Sequence, residues 1–130
     1  ISVLNGTVRG WFGDGINALD AKNCQYQDLR LSTNGGLGLR AGAGSNVFNC
    51  TTRCNGSSGI SVGLGSTISR STAEDNFQHG FNTDAPGTAT AIETFTSTPI
   101  DGAHVFIYGV GGSARAAACG ASSSPNPPRR

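Results

Sequence analysis

Arg9, Arg30, Asp28 and Arg70 stand where a repeating fold would bring charged side chains to one surface. Arg9 and Arg30 lie 21 residues apart, and Thr51, Thr72 and Glu93 continue that spacing. Asp28 and Arg70 fall in the column beside them. If each interval is one coil of chain, Arg9 and Arg30 project from adjacent rungs. Two guanidinium groups so placed repel each other unless something anionic lies across them, and their planar donor forks match a uronate carboxylate or a sulfate. The plain alternative is that Asp28 pairs with one arginine while the other points into water, where such pairs contribute little. His79 and Asp84 form a second set with acid and base chemistry. Cleavage of a glycosidic bond, however, needs two carboxyl groups flanking it, and Asp84 has Gly63 and Gly42 at the preceding intervals.

Other reactive types are sparse. Cys24, Cys50, Cys54 and Cys119 could make two disulfides, but Cys50 falls in an inward column that none of the others shares or neighbours, so free thiols are expected. Cys50 and Cys54 have no second ligand pair and His79 and His104 are remote in sequence, so no metal site is expected. Thr51-Thr52, Thr88-Ala89-Thr90 and Thr94-Phe95-Thr96 raise the idea of an ice-binding ladder, yet at this spacing they do not stack in one column. Trp11 and Phe12 could stack on a sugar face or cover an open end of the core. Asn5-Gly6-Thr7, Asn49-Cys50-Thr51 and Asn55-Gly56-Ser57 fit the N-glycosylation acceptor pattern, although modification of Asn55 would conflict with the ladder described next.

The elements that must carry these residues follow from the repeat itself. At intervals of 21, Tyr26, Val47 and Ile68 form one column, Asn34, Asn55 and Asn76 another, Gly38, Gly59 and Gly80 a third, and Leu39, Ile60 and Phe81 a fourth. Within each short piece the apolar spacing is two, the period of a strand, whereas the odd step from Val47 to Cys50 requires a corner. Three short strands separated by corners make a coil. Stacked coils pair every strand in parallel with its neighbours about 4.8 Å away. An Asn at a corner tolerates a left-handed backbone and can bond its counterpart one coil on. The glycines mark turns without room for a Cβ.

The first unit is read with Val8 one interval before Leu29, but with Gly15-Ile16 23 residues before Gly38-Leu39. One inward column is then Val8, Leu29, Cys50, Ser71 and Ile92. After Asp84 the register loosens; Gly102-Ala103-His104-Val105 is set against Gly80-Phe81-Asn82-Thr83, and Val110 to Ser113 begins a sixth coil. The expected division is a repeat domain over 1–113 and an Ala, Ser and Pro-rich flexible tail over 114–130.

Composition agrees with narrow interiors and many turns. The chain has 130 residues, of which 20 are glycine and 13% are charged, with one Trp and no Met. A net charge of +1 without a basic stripe leaves no footprint for nucleic acid. No window has the roughly 18 consecutive apolar residues of a membrane helix.

The segments Asn5-Gly6-Thr7-Val8-Arg9-Gly10-Trp11, Asp28-Leu29-Arg30, Gly44-Ser45-Asn46-Val47-Phe48-Asn49-Cys50-Thr51 and Asn55-Gly56-Ser57-Ser58-Gly59-Ile60 resemble repeats of the pectate-lyase-like superfamily, in particular those of uncharacterised exported bacterial β-helix proteins. The resemblance covers roughly residues 1–110. It implies an all-β fold, a right-handed single-stranded parallel β-helix (β-solenoid) of about five coils, and a secreted or cell-surface bacterial protein. Asn82-Thr83-Asp84 matches a tripeptide of polygalacturonases and Gln78-His79-Gly80 part of their Gly-His-Gly, but in reversed order and without the paired aspartates between. A lyase-like site would use an arginine base and several carboxylates holding Ca²⁺, and only Asp28 is near. The expected function is a non-catalytic structural or interaction module offering a ladder face to a polysaccharide. The alternative is a lyase or hydrolase acting on an acidic polysaccharide. Open strand edges lead to an expected homo-oligomer built end to end.

Overall fold

The computed structural model describes residues 1–83, 91–103, 105–106 and 113–115. Strands follow one another in the order β1 (Ser2–Arg9), β2 (Ile16–Ala18), β3 (Gln25–Ser32), β4 (Leu39–Ala41), β5 (Asn46–Phe48), β6 (Thr51–Arg53), β7 (Ile60–Val62), β8 (Thr67–Glu74), β9 (Phe81–Thr83), β10 (Ala91–Thr98), β11 (Val105–Phe106) and β12 (Ser113–Arg115). All pair in parallel. One sheet runs β1, β3, the β5 and β6 pair, β8, β10, β12, and the other β2, β4, β7, β9, β11. This is a parallel β-helix whose coil advances by 21 residues between β3 and β8. About four turns are described in full, against about five expected, because the connection closing the next coil lies among 84–90 and 104, outside the described residues.

Each coil bends at left-handed residues that stack in three columns. Asn5, Asp28, Asn49 and Arg70 make the first, with φ of 56°, 57°, 54° and 51°. Gly10, Thr33, Cys54 and Asp75 make the second, and Asn23, Gly44 and Gly65 the third. A single left-handed residue turns the strand without breaking the rung, which accounts for two inward residues three apart, such as Val47 and Cys50. Asn5, Asp28 and Asn49 in the first column are residue types that tolerate that conformation at low cost, whereas Arg70 is held in it by the stacked rungs.

Asn34, Asn55 and Asn76 are not among the left-handed residues; they point inward one place after the second corner. The ladder itself forms as expected. Asn34 Nδ2 donates to Asn55 Oδ1 at 3.0 Å and Asn55 Nδ2 to Asn76 Oδ1 at 2.8 Å, while each Oδ1 also accepts the backbone N–H one coil before. This ladder explains the glycine column better than turning does. A Cβ on Gly38 would lie 2.7 Å from both Gly59 O and the Thr52 methyl and 2.9 Å from Asn55 Nδ2, so the residue is glycine because the next coil and the ladder amide both come this close.

The apolar interior fills the space between the sheets. Tyr26, Val47 and Ile68 stack in one column, Leu29 and Cys50 in a second, Leu31 and Ala73 in a third around Thr52, and Leu39, Ile60 and Phe81 in a fourth, all within a few per cent of full burial. Ile16 and Val105 extend the last at its two ends. Removing such side chains from water stabilises the fold by roughly 25 cal/mol per Å².

Two registers differ from expectation. Val8 stacks on Leu31, not Leu29, because β1 pairs with β3 at a constant offset of 23, Ser2 with Gln25 through Arg9 with Ser32. The two extra residues fall after β2, within 19–22, where the third corner of the first coil is longer than Gly42-Ala43. Between β8 and β10 the offset is 24, so in register Ile92 pairs with Ile68 and Phe95 with Ser71. Val105 likewise pairs with Phe81 rather than Thr83. Side chains alternate with period two, so the slip of two residues in the first coil keeps the same face inward; the slip of three between β8 and β10 does so because the left-handed Arg70 makes Ile68 and Ser71, three apart, both inward. β12 continues the first sheet beyond β10, and residues 116–130 lie outside those described.

Candidate functional site

The first corner forms a groove of about 490 Å³ on the outside of the first three coils, lined by Asn5, Thr7, Asp28, Arg30, Asn49 and Thr51 among others. The corner column supplies Asn5, Asp28 and Asn49, while the outward positions two residues later supply Thr7, Arg30 and Thr51. Strand pairing holds these two columns side by side. The groove is therefore a property of stacked coils, and no single segment contains it.

Asp28 is the fixed point. Its Oδ1 accepts from Asn49 Nδ2 at 2.6 Å and its Oδ2 from Gln27 Nε2 at 3.1 Å, and Gln25 Nε2 in turn donates to Gln27 Oε1 at 3.0 Å. The amide bonds of Asn49 and Gln27, with a smaller contribution from the Arg30 charge, hold the Asp28 carboxyl below its ordinary range. Arg30 itself is exposed and makes no ion pair among the described residues.

The expected stack of Arg9 on Arg30 does not occur. With the offset of 23, Arg30 lies between Thr7 and Thr51, and Arg9 lies on Ser32 in the column that continues through Arg53, Glu74 and Thr98. Arg53 pairs with Glu74 at 3.7 Å on the surface. Glu93 belongs by register to Ser69 rather than to the Thr72 column. Arg70 does follow Asp28 and Asn49 in the corner column, and its guanidinium lies 5.6 Å from the centre of the Phe48 ring. Of the four residues first singled out, the groove brings together Asp28 and Arg30, Arg70 adjoins it, and Arg9 sits in a separate column.

His79 stands elsewhere, in the turn before β9. Its Nδ1 accepts the N–H of Ala103 at 3.1 Å, and burial pushes its pKa down. Asp84 lies outside the described residues. The threonines stack after all: Thr7, Thr51, Thr72 and Thr96 share one column with Arg30. Arg9, Arg53 and Glu74 rather than a second threonine flank most of it.

Cys24 and Cys50 are buried free thiols and Cys54 an exposed one, while Cys119 lies outside the described residues. Trp11 occupies the place of the ladder asparagines in the first coil, donating its backbone N–H to Asn34 Oδ1 at 3.1 Å with its side chain largely exposed. Among the described residues no group of three or more His, Cys, Asp or Glu side chains is placed to hold a metal ion, and no helix is long and apolar enough to cross a membrane.

The groove adds Asn5, Thr7 and Asn49 to Asp28, Arg30 and the Thr51 of the Arg30 column. Their signal was present as a small polar residue followed two places later by Thr or Arg, at 5 and 7, 28 and 30, and 49 and 51. Finding it required the first interval to be 23 instead of 21. Searches of protein families, of curated proteins and of solved structures find no match to this chain, so the parallel β-helix stands as a fold and membership of the pectate-lyase-like superfamily remains a resemblance of the repeats.

Proposed function

We propose that this chain is a non-catalytic β-helical module that binds an extracellular polysaccharide along its first corner. One observation carries the reading. The side chains of Asn5, Thr7, Arg30 and Thr51 line the groove and make no hydrogen bond or ion pair with described residues, so their donors and acceptors remain for a ligand rich in hydroxyl groups. A secreted or cell-surface location belongs to the same proposal. The non-catalytic part is supported by the lining, in which Asp28 is the single carboxylate, whereas glycoside hydrolysis requires two.

The test is the chain length of neutral and acidic polysaccharides after incubation with the protein, with and without Ca²⁺. Retention of a polymer without shortening supports the module. Shortening of any polymer overturns it in favour of a lyase or hydrolase, and mutagenesis of Arg30 and Asp28 would follow. A homo-oligomer is also proposed, supported by β1 and β2 each having one paired edge among the described residues, beside exposed Ile1, Leu4, Trp11 and Phe12. A monomer mass in solution would count against it.

A further inference from the structure

We propose that the first-corner groove receives a neutral sugar ring through adjacent hydroxyl groups, with the Asp28 carboxylate as the acceptor at its centre. The inference rests on the polysaccharide reading and narrows it to a class of ligand. Asp28 occupies the middle of the three rungs that form the groove. Each of its oxygens is held by one amide, from Asn49 and from Gln27. A carboxylate has about four lone-pair sites, so roughly two remain for hydroxyl donors in the groove that Asp28 lines. Around it, the Arg30 guanidinium, the Thr7 and Thr51 hydroxyls and the Asn5 amide can donate to the oxygens of the same ring. Two neighbouring hydroxyls that give their protons to Asp28 and accept from these groups use both kinds of partner.

An anionic sugar fits less well. Its carboxylate or sulfate would stand against Asp28, and like charges at such range oppose binding. The pair of stacked guanidiniums that would have favoured an anion does not exist, since Arg9 lies on Ser32. With Asp28 and one guanidinium, Arg30, on the central rung, the two charges offset each other and the rung offers no excess positive charge to draw an anion.

Asp28→Asn separates the possibilities. Asn5 and Asn49 already hold φ of 56° and 54° on the flanking rungs, so an amide suits this corner, and an unchanged melting curve verifies the fold. Affinities of the whole 130-residue chain are measured by titration calorimetry against neutral polymers (a glucan, a galactan, a mannan) and acidic ones (polygalacturonate, a sulfated galactan), at low and high salt. The expected result is that a neutral polymer binds, that salt changes little, and that Asp28→Asn weakens binding roughly tenfold, because bonds to an ionised acceptor are about twice as strong as neutral ones. Preferred binding of an acidic polymer, weakened by salt and tightened by Asp28→Asn, overturns the inference and leaves the module reading in place. Equal affinity of both proteins for a neutral polymer also overturns it, by putting the ligand elsewhere. If no polymer binds, both readings fall.

Discussion

Asn55→Leu keeps the branching and heavy-atom count of a side chain that is 1% exposed while removing every hydrogen bond that side chain makes. In the native ladder Asn55 Oδ1 accepts from the N–H and Nδ2 of Asn34, both at 3.0 Å, and Nδ2 donates to Leu31 O at 2.9 Å and to Asn76 Oδ1 at 2.8 Å. Some partners keep a second bond. Asn34 Nδ2 still reaches Val8 O at 3.3 Å, and Asn76 Oδ1 still accepts the backbone N–H of residue 55 at 3.1 Å. The N–H of Asn34 and the bond to Leu31 O are lost without replacement. A buried polar group left unsatisfied costs about 1–3 kcal/mol, so the substitution costs about 4 kcal/mol. Ser57→Ala, two residues further along the same coil, breaks a single exposed bond to Gln78 and costs about 0.5 kcal/mol or less. Equilibrium unfolding in urea, followed by circular dichroism and Trp11 fluorescence, reads the difference. With a slope of about 2 kcal/mol per M, the midpoint of Asn55→Leu falls by about 2 M while that of Ser57→Ala hardly moves. A fall no larger than the control refutes the reasoning, for it would mean that the ladder amides contribute nothing net to stability.

Other outcomes follow from the same geometry. Gly59→Ala places a Cβ 2.7 Å from Gly80 O and 2.8 Å from Asn76 Nδ2, and is expected to destabilise by about 1–3 kcal/mol, whereas Gly13→Ala meets nothing within 4 Å and is expected to be near neutral; thermal melts compare the two. Burial depresses the His79 pKa below its ordinary 6.5, so the unfolded chain binds more protons as pH falls through that value. Stability is then fully present above about pH 6.5 and declines below it until the folded pKa is passed; His79→Gln should flatten this window, and identical slopes for both proteins would refute the assignment. In a Cys119→Ser background, Cys54 should react with a thiol reagent in the native protein, and Cys24 and Cys50 only after unfolding, as read by labelling and mass spectrometry.

The contrast between the two glycine tests bears on how the site is built. Gly38 and Gly59 are needed because the carbonyl of the next coil, the Thr52 side chain and a ladder amide all come close, and the ladder in turn joins the coils on which the groove depends. Asp28 and Arg30 lie on the second coil, with their neighbours on the first and third. A change that slips one coil against the next would separate the groove residues while leaving each local corner intact. Binding at the groove should therefore be lost in Asn55→Leu under conditions where circular dichroism still reports strands.

From the sequence alone came the coil length, the parallel stacking, the asparagine ladder and the absence of a second carboxylate beside Asp28. Each is carried by residue types recurring at a constant interval in the middle of the chain, where Tyr26, Val47 and Ile68 leave no second alignment as good. Tertiary structure alone decided the register of the first and last coils, hence that Arg30 lies among threonines and Arg9 does not lie on it. The physical reason is that strand side chains alternate with period two. Shifting Val8 from Leu29 to Leu31 keeps apolar residues inward on both rungs, and only the length of the corner at 19–22 distinguishes the two pairings. The left-handed columns were hidden for a related reason. Asp28, Thr33, Cys54 and Arg70 do not favour that conformation as glycine does, and they adopt it because pairing on both sides of the rung imposes it.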